Sequence, residues 1–167
     1  MYTVLPSPEN NFLKLVQPKD LGAFAQEVRL GGKTLATLNG SFDLLHAGHL
    51  AMLHEASLQA DVLLVALNSD LSIKQYKSPL RPIIPLHQRL QLMAALEMVD
   101  YVTWFEETDP RELLKIVRPD VHVNGTEYGE SCIEADIVRS QGGRIHIVEL
   151  VPGLSTTALI QSIAKTC

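Results

Sequence analysis

Two histidines three residues apart, His46 and His49, are the side chains of this sequence best suited to chemistry. They lie in the stretch "LNGSFDLLHAGHL" (38–50), where glycines and one carboxylate stand between two apolar segments. Residues at this spacing share one face of a helix. At a turn from strand to helix, they would also lie beside free backbone N–H groups and the positive end of the helix dipole. Such a turn is suited to binding phosphate.

The same residues allow two other interpretations. A carboxylate and two imidazoles, here Asp43, His46 and His49, are a common set of metal ligands. Alternatively, both histidines are packing residues whose hydrogen bonds are satisfied within the protein. The remaining histidines fall within predicted helices and strands and are expected to be structural: His54, His87, His122 and His146.

The elements that must position this turn alternate between short β-branched strands and helical patterns. The predicted strands are 34–39, 61–68, 100–105, 120–125 and 144–150. The predicted helices are 19–30, 47–59, 86–98, 109–117, 131–141 and 156–165. Strands separated by helices pair in parallel with right-handed crossovers. The order predicts an α/β fold: a Rossmann-like open parallel sheet of about five strands with helices on both faces, whose ligands bind beyond the carboxyl ends of the strands.

Composition and charge narrow the class of protein. A chain of 167 residues, 46% of them hydrophobic, suits one globular domain over residues 1–167. The net charge of −5 argues against a nucleic-acid partner.

The longest aliphatic run, 62–67, is too short to cross a membrane, and the first residues do not resemble a secretory signal. Two cysteines, Cys132 and Cys167, are too few for a disulfide scaffold, so a reducing cytoplasm is the expected location.

A basic stretch follows the second predicted strand. Residues 71–96 contain Lys74, Lys77, Arg81 and Arg89 but no acidic residue. A positive stretch on an acidic protein can concentrate a small anion without making the whole surface attract polyanions. The alternative is a basic face that is simply solvated. Both lysines are expected on a loop at the carboxyl edge of the sheet.

Three segments resemble one family. "NGSFDLLHAGH" (39–49) resembles the signature Gly-x-Phe-Asp-x-x-His-x-Gly-His of the nucleotidyltransferase superfamily, in its cytidylyltransferase-like branch. "RPIIPLHQRLQLMAALEMVDYV" (81–102) is similar to the family's Arg-Pro-x-x-Pro-x-x-x-Arg helix and the strand after it, and "GLSTTALIQSI" (153–163) to its Ser-Thr-Thr helix start. The resemblance covers about residues 14–165. Within the family, "VRSQGGRIHIVELVPG" (138–153) looks most like the heptose 1-phosphate adenylyltransferase domain of bacterial ADP-heptose synthases.

The resemblance implies a reaction. A phosphate oxygen of D-glycero-D-manno-heptose 1-phosphate attacks the α-phosphate of ATP, giving ADP-heptose for lipopolysaccharide synthesis and releasing pyrophosphate. Mg²⁺ is expected, bound mainly through the triphosphate, with no dedicated protein ligands. The implied partners are a nucleoside triphosphate and a sugar phosphate, and members of the family commonly form homodimers. A CTP-dependent cytidylyltransferase acting on glycerol phosphate or another phosphorylated alcohol shares these motifs and stays open as the alternative.

The resemblance also implies residue roles. The residues implied to be catalytic, by positioning and by stabilising charge on the α-phosphate, are His46, His49, Lys77 and Arg89. The residues implied to bind the nucleotide are Asn39, Gly40, Ser41, Phe42, His46, Gly48, His49, Lys74, Asn124, Gly125, Ser155, Thr156 and Thr157. Those implied to bind the sugar phosphate are Asp43, Lys77, Arg81 and Arg89. Which of the two lysines meets the phosphate stays open, as do two other classes of protein: a metal-dependent hydrolase and a non-catalytic nucleotide sensor.

One segment departs from the pattern of the heptose enzymes. They usually read Val-Lys-Gly-Gly-Asp-Tyr after the fourth strand, whereas this chain reads "VNGTEY" (123–128). Asn124 stands in place of a lysine, and Glu127 in place of an aspartate. The departure bears on the choice of base or sugar phosphate more than on nucleotidyl transfer itself.

Overall fold

The computed structural model describes residues 12–129, 131–149 and 151–166. Five strands of this part of the chain form one sheet, in which every pairing is parallel and the order is β3-β2-β1-β4-β5. They are β1 Leu35–Gly40, β2 Val62–Asn68, β3 Tyr101–Phe105, β4 Val121–Gly125 and β5 Arg144–Val148. The predicted fold class is confirmed. Position 150, in the last predicted strand, and Cys167 lie outside the described residues.

Helices connect the strands. Those in the described residues are α1 Leu21–Leu30, α2 Ala47–Ser57, α3 Asp70–Tyr76, α4 Leu86–Ala94, α5 Arg111–Val117, α6 Ala135–Ser140 and α7 Thr156–Thr166. The prediction of a loop after β2 is wrong, because α3 begins there. Ser69 caps this short helix by accepting a hydrogen bond from the N–H of Ser72 at 3.1 Å. No helix in these three stretches is both long and apolar enough to span a membrane.

The core lies on both faces of the sheet. Strand β2 is buried along its whole length, as expected for a central parallel strand with helices above and below. Its side chains alternate between two clusters. One cluster packs Leu63, Val65 and Leu67 against residues of α2 and α4, such as Leu53 and Met93. The other packs residues such as Leu64 and Ala66 against α1, α5 and α6.

The strand order places the carboxyl ends of β1 and β4 side by side. The chain runs from β1 outward through β2 to β3, and then returns to place β4 on the other side of β1. Leu38 of β1 is in register with Val123 of β4. The connections that leave these two strands therefore diverge from one point at the carboxyl edge of the sheet. This is the place where open α/β sheets bind ligands.

Candidate active site

A cleft of about 370 Å³ opens at this point of the sheet edge. The structure brings most of the predicted site residues to its walls: Asn39, Gly40, Ser41, Phe42, Asp43, His46, Gly48, His49, Lys77, Asn124, Gly125, Ser155 and Thr156. The predicted site residues that do not line it are Lys74, Arg81, Arg89 and Thr157. The strand-to-helix turn, the end of α3 and the start of α7 therefore share one cavity.

The two histidines stack at the start of α2. His46 is the N-cap residue, with extended backbone angles, and its ring Nδ1 accepts a hydrogen bond from the N–H of His49 at 3.4 Å. The ring centroids are 3.8 Å apart and the planes are inclined by 23°. Burial, with the charges of His46 and Lys77, lowers the pKa of His49 to about 4, and burial also lowers the pKa of His46. Both rings are therefore neutral at pH 7, and each can donate one N–H to an oxyanion.

The turn before the histidines has an unusual backbone. Phe42 and Leu44 have positive φ angles of 46° and 59°, which non-glycine residues rarely adopt. The Phe42 ring meets the His49 ring edge-on, with centroids 5.4 Å apart. A Cβ atom on Gly48 would come within 3.0 Å of the His46 ring, so this glycine lets the imidazole lie against the helix backbone. The turn is shaped to hold both rings in place.

Asp43 is buried beneath the turn and is fully bonded. Its carboxylate accepts hydrogen bonds from Arg81 Nε at 2.7 Å and from the N–H groups of Ile83 and Ile84 at 2.8 and 2.9 Å. Burial alone would raise the pKa of Asp43, but these hydrogen bonds outweigh it and the pKa is lowered. Asp43 thus anchors the segment before α4, and its predicted contact with the sugar phosphate stays a prediction.

The bonding of Asp43 also bears on the metal interpretation. Both of its oxygens are occupied by N–H donors, so they do not join the two imidazoles in a ligand set. Across residues 12–129, 131–149 and 151–166, no group of three or more His, Cys, Asp or Glu side chains is placed to hold a metal ion.

Arg89 is buried and lies behind the cleft wall. Its guanidinium donates to the carbonyls of Ser41 at 2.7 Å, Asn68 at 2.9 Å and Ile84 at 2.9 Å, and to the Asp70 carboxylate at 2.7 Å. These bonds join the ends of β1 and β2 to the start of α4. Because Arg89 is only 1% exposed and does not line the cleft, a phosphate contact, implied by the family resemblance, would require this side chain to move. In this geometry Arg89 positions the turn, and its direct role stays a prediction.

The two lysines occupy different places. Both are exposed, but Lys74 lies on α3, whereas Lys77 caps the end of that helix and lines the cleft. Partial burial of the Lys77 ammonium and the charge of Arg81 lower its pKa. Its neighbour Tyr76 ties α3 to the turn, because its hydroxyl is hydrogen-bonded to the Ser41 hydroxyl at 2.5 Å. Of the two lysines, only Lys77 lines the cleft, and its predicted contact with phosphate stays a prediction.

The N-terminus of α7 forms the wall beside α2. Ser155 caps it, with its hydroxyl oxygen accepting from the N–H of Ala158 at 3.1 Å, and Thr156 donates its hydroxyl to the Asp43 carbonyl at 3.1 Å. Leu154 lies close to Gly48 of α2: a Cβ atom on that glycine would be 3.1 Å from the Leu154 Cβ. Two helix N-termini thus meet at one cavity, where their dipoles favour an anion.

Several residues that line the cleft were not among the predicted site residues. They lie at or beyond the carboxyl ends of β2, β3 and β4, where the rule for parallel sheets could have found them: Asn68, Asp109, Glu127, Tyr128 and Glu134. By contrast, His122 is hydrogen-bonded to the Thr37 hydroxyl at 2.8 Å inside the core, and His146 pairs with Glu55 at 3.2 Å. Those two histidines are structural, as expected.

Comparison with known proteins agrees with this geometry. The cytidylyltransferase-like family model matches residues 37–162, three quarters of the chain. The chain belongs to this family. It is 45% identical over 136 residues to the bifunctional protein HldE of Syntrophotalea carbinolica; the match covers 81% of this chain and 28% of HldE. The chain thus spans under a third of that relative's length.

Two solved structures are similar. The lipopolysaccharide core biosynthesis protein of Thermoplasma volcanium shares 28% identity and superposes with a TM-score of 0.57, over 72% of this chain and 98% of that one. The pantoate-beta-alanine ligase of Francisella tularensis superposes with a TM-score of 0.61, over 89% of this chain and 72% of that one, at 15% identity. The second similarity concerns the fold alone.

Proposed function

We propose that this chain transfers the adenylyl group of ATP to heptose 1-phosphate and releases pyrophosphate. The observation that carries the proposal is the stacked pair of neutral imidazoles, His46 and His49, at the point where the N-termini of α2 and α7 meet. This end of the cleft offers N–H donors and two helix dipoles to a polyphosphate. The HldE relative and the family resemblance of residues 138–153 support heptose 1-phosphate as the acceptor.

The proposed reaction needs no protein nucleophile. A phosphate oxygen of the acceptor forms a bond to the α-phosphorus of ATP, the bond from that phosphorus to the bridging oxygen breaks, and the electron pair leaves with pyrophosphate. Catalysis is then positioning together with stabilisation of the charge that grows on the α-phosphate. His46 and His49 donate their N–H groups to that charge, and Lys77 supplies a cation from α3.

We also propose that Mg²⁺ accompanies the triphosphate. Hard cations prefer oxygen ligands, and phosphate oxygens and water supply them. The groups at the phosphate end of the cleft are imidazoles, hydroxyls, backbone N–H groups and one ammonium, which suit the phosphates rather than the ion. The ion is therefore expected to enter with the nucleotide. We propose that the enzyme acts in the cytoplasm, where nucleoside triphosphates are abundant. We also propose a homodimer, because members of the family commonly form one.

A second candidate is a cytidylyltransferase that uses CTP and a phosphorylated alcohol such as glycerol phosphate. The observation that favours it is Asn124, which lines the cleft where the heptose enzymes usually carry a lysine. Both candidates use the same phosphate end of the cleft, so they differ only in the base and the acceptor.

The test is a screen for pyrophosphate release. The purified chain with Mg²⁺ is supplied with ATP or CTP, each combined with D-glycero-D-manno-heptose 1-phosphate, glycerol 3-phosphate or ethanolamine phosphate. We expect the highest turnover with ATP and the heptose phosphate. Preference for CTP and glycerol phosphate would replace the first candidate with the second. Nucleotide binding without pyrophosphate release from any pair would point to a sensor and overturn both.

A further inference from the structure

Tyr76 lies between the histidine turn and the basic segment, and the proposed chemistry gives it no role. It is the last residue of α3, lines the cleft and is 43% exposed. Its hydroxyl is hydrogen-bonded to the Ser41 hydroxyl at 2.5 Å, although the two residues are 35 positions apart in the chain. A side chain that is this exposed has room to turn into solvent, so the hydrogen bond keeps the Tyr76 ring at the cleft wall.

Ser41 is a firm point of attachment for this tyrosine. It directly follows β1 and is only 6% exposed. Its carbonyl accepts a hydrogen bond from the buried Arg89 guanidinium at 2.7 Å. Because the carbonyl and the hydroxyl of Ser41 are both engaged, this residue has little freedom to move. The Tyr76 hydroxyl is therefore fixed relative to the turn that holds the two histidines.

The ring of Tyr76 faces the ammonium group of Lys77. The Lys77 Nζ lies 5.5 Å from the ring centroid, a distance at which a cation is attracted to an aromatic face. Among the residues that the structure describes, no carboxylate lies within ion-pair distance of this ammonium. A charge on a flexible four-carbon stem needs a contact to hold it in one place, and the Tyr76 ring provides one.

We propose that Tyr76 is a positioning residue for Lys77. Its hydroxyl fixes the ring to the histidine turn through Ser41, and the face of the ring holds the Lys77 ammonium at the cleft. The inference rests on the proposed function, because it concerns the cation that would stand beside the reacting phosphates. It also gives the Ser41 hydroxyl a partner within the protein, whereas the family resemblance assigns Ser41 to the nucleotide.

The kinetic test compares Tyr76→Phe, Ser41→Ala and the double variant by pyrophosphate release. We expect each single variant to lower kcat by about two- to tenfold, the usual effect of losing one neutral hydrogen bond. The double variant should lose no more than either single variant, because both changes break the same contact. The KM for ATP should change less than about twofold, since a misplaced Lys77 affects the transition state rather than ground-state binding.

Two kinetic outcomes would overturn the inference. Additive losses in the double variant would show that the two hydroxyls act separately. A higher KM for ATP in Ser41→Ala alone would assign that hydroxyl to the nucleotide.

Tyr101→Phe is the matched control for the loss of a tyrosine hydroxyl. Tyr101 of β3 packs edge-on against Phe24, with ring centroids 4.7 Å apart, and does not line the cleft. This variant should leave kcat and both KM values unchanged. Equal losses in Tyr101→Phe and Tyr76→Phe would contradict a specific role for Tyr76.

A titration of Lys77 adds a readout that does not require turnover. Burial and the charges of Arg81 and Arg89 lower the pKa of this ammonium, the Asp43 carboxylate opposes them, and the neutral His49 ring lies nearby. An ammonium released from the cleft would move away from these groups into water, so its pKa would rise toward the ordinary value of a lysine. NMR of lysines methylated with isotope-labelled formaldehyde follows the titration, and Lys77→Arg identifies the signal.

This titration separates the inference from the proposed function. We expect Tyr76→Phe and Ser41→Ala each to raise the pKa of Lys77, and Tyr101→Phe to leave it unchanged. If no nucleotide pair yields pyrophosphate, the proposed function fails, yet a raised pKa in both variants would still support the role of Tyr76. If Tyr76→Phe does not fold, Ser41→Ala breaks the same hydrogen bond from the other side. An unchanged pKa of Lys77 in the folded variants overturns the inference, even where turnover falls.

Discussion

The rings of His46 and His49 stack 3.8 Å apart, and the backbone N–H of His49 donates to the Nδ1 of His46. One imidazole is thereby fixed as an acceptor at Nδ1, which leaves its Nε2 to carry the proton. The same contact caps the helix that presents both rings. Local structure and chemistry thus depend on one pair of residues.

Removing either ring should impair turnover without unfolding the protein. We expect His46→Ala and His49→Ala each to lower kcat by roughly 10²–10³, the usual effect of losing one donor to a developing oxyanion. His54→Ala is the matched control, because this other histidine of α2 is exposed and does not line the cleft. Pyrophosphate release and circular dichroism provide the measurements. Turnover at the wild-type level in both variants would contradict the assigned roles.

Lowering the pH should destabilise the fold through buried neutral histidines. The pKa values of His49 and His122 are each lowered to about 4 by burial, whereas the unfolded value is about 6.5. Between these values the unfolded chain binds more protons, so the free energy of unfolding falls as the pH drops from about 6.5 toward 4. Urea unfolding should show a loss on the order of 1–3 kcal/mol per histidine. His122→Asn should flatten the dependence, and an unchanged slope would contradict the prediction.

Replacing Lys77, just after α3, should impair catalysis far more than replacing Lys74, within α3. Both side chains are exposed, but Lys77 lines the cleft and Lys74 does not. We expect Lys77→Ala to lower kcat/KM by about 10²-fold or more, because it removes the cation beside the reacting phosphates. Lys74→Ala carries the same change in charge and length and should have less than about a threefold effect on kcat/KM. Equal losses would indicate that only the net charge of the segment matters.

Replacing Arg89 should destabilise the whole protein. Arg89→Met removes four hydrogen bonds and leaves the buried carbonyls of Ser41 and Asn68 without these donors. Breaking such a buried network typically costs about 3–5 kcal/mol. Lys115→Met is the control, because Lys115 pairs with Glu112 at the surface and such pairs contribute little. Chemical denaturation measures both. A small change in Arg89→Met accompanied by lost phosphate binding would instead support direct contact with substrate.

Replacing Gly48 with alanine should lower the activity. The added Cβ atom would lie 3.0 Å from the His46 ring and 3.1 Å from Leu154, so the imidazole or the α7 wall must shift. A small displacement of a catalytic group can cost about 10²-fold in rate. Gly22→Ala is the counterpart, since its Cβ atom would meet only Ile116 of α5 at 3.7 Å. In helix α1 that change should stabilise the fold by about 0.4–1 kcal/mol. Similar activity in the two variants would contradict the expected crowding.

The sequence predicts the sheet well because its strands are local apolar runs. It also predicts the histidine turn, since His46 and His49 are close in the chain. The hydrogen bonds of Asp43 could not be predicted from the sequence. Their donors come from residues 81–84, which only the tertiary fold brings near the Asp43 carboxylate. Helix α3 was missed because a helix of about two turns is too short to show the apolar periodicity by which helices are predicted. Glu134 was missed because only the tertiary fold brings it to the cleft, ten positions after Asn124 in the chain.

The docking of Thr156 on the Asp43 carbonyl has a consequence for synthesis on the ribosome. All five strands precede this residue in the chain. A nascent polypeptide released as far as β5 can pair its strands while one side of the nucleotide cavity is still missing. On the proposed function, catalytic competence then follows the assembly of the sheet rather than accompanying it.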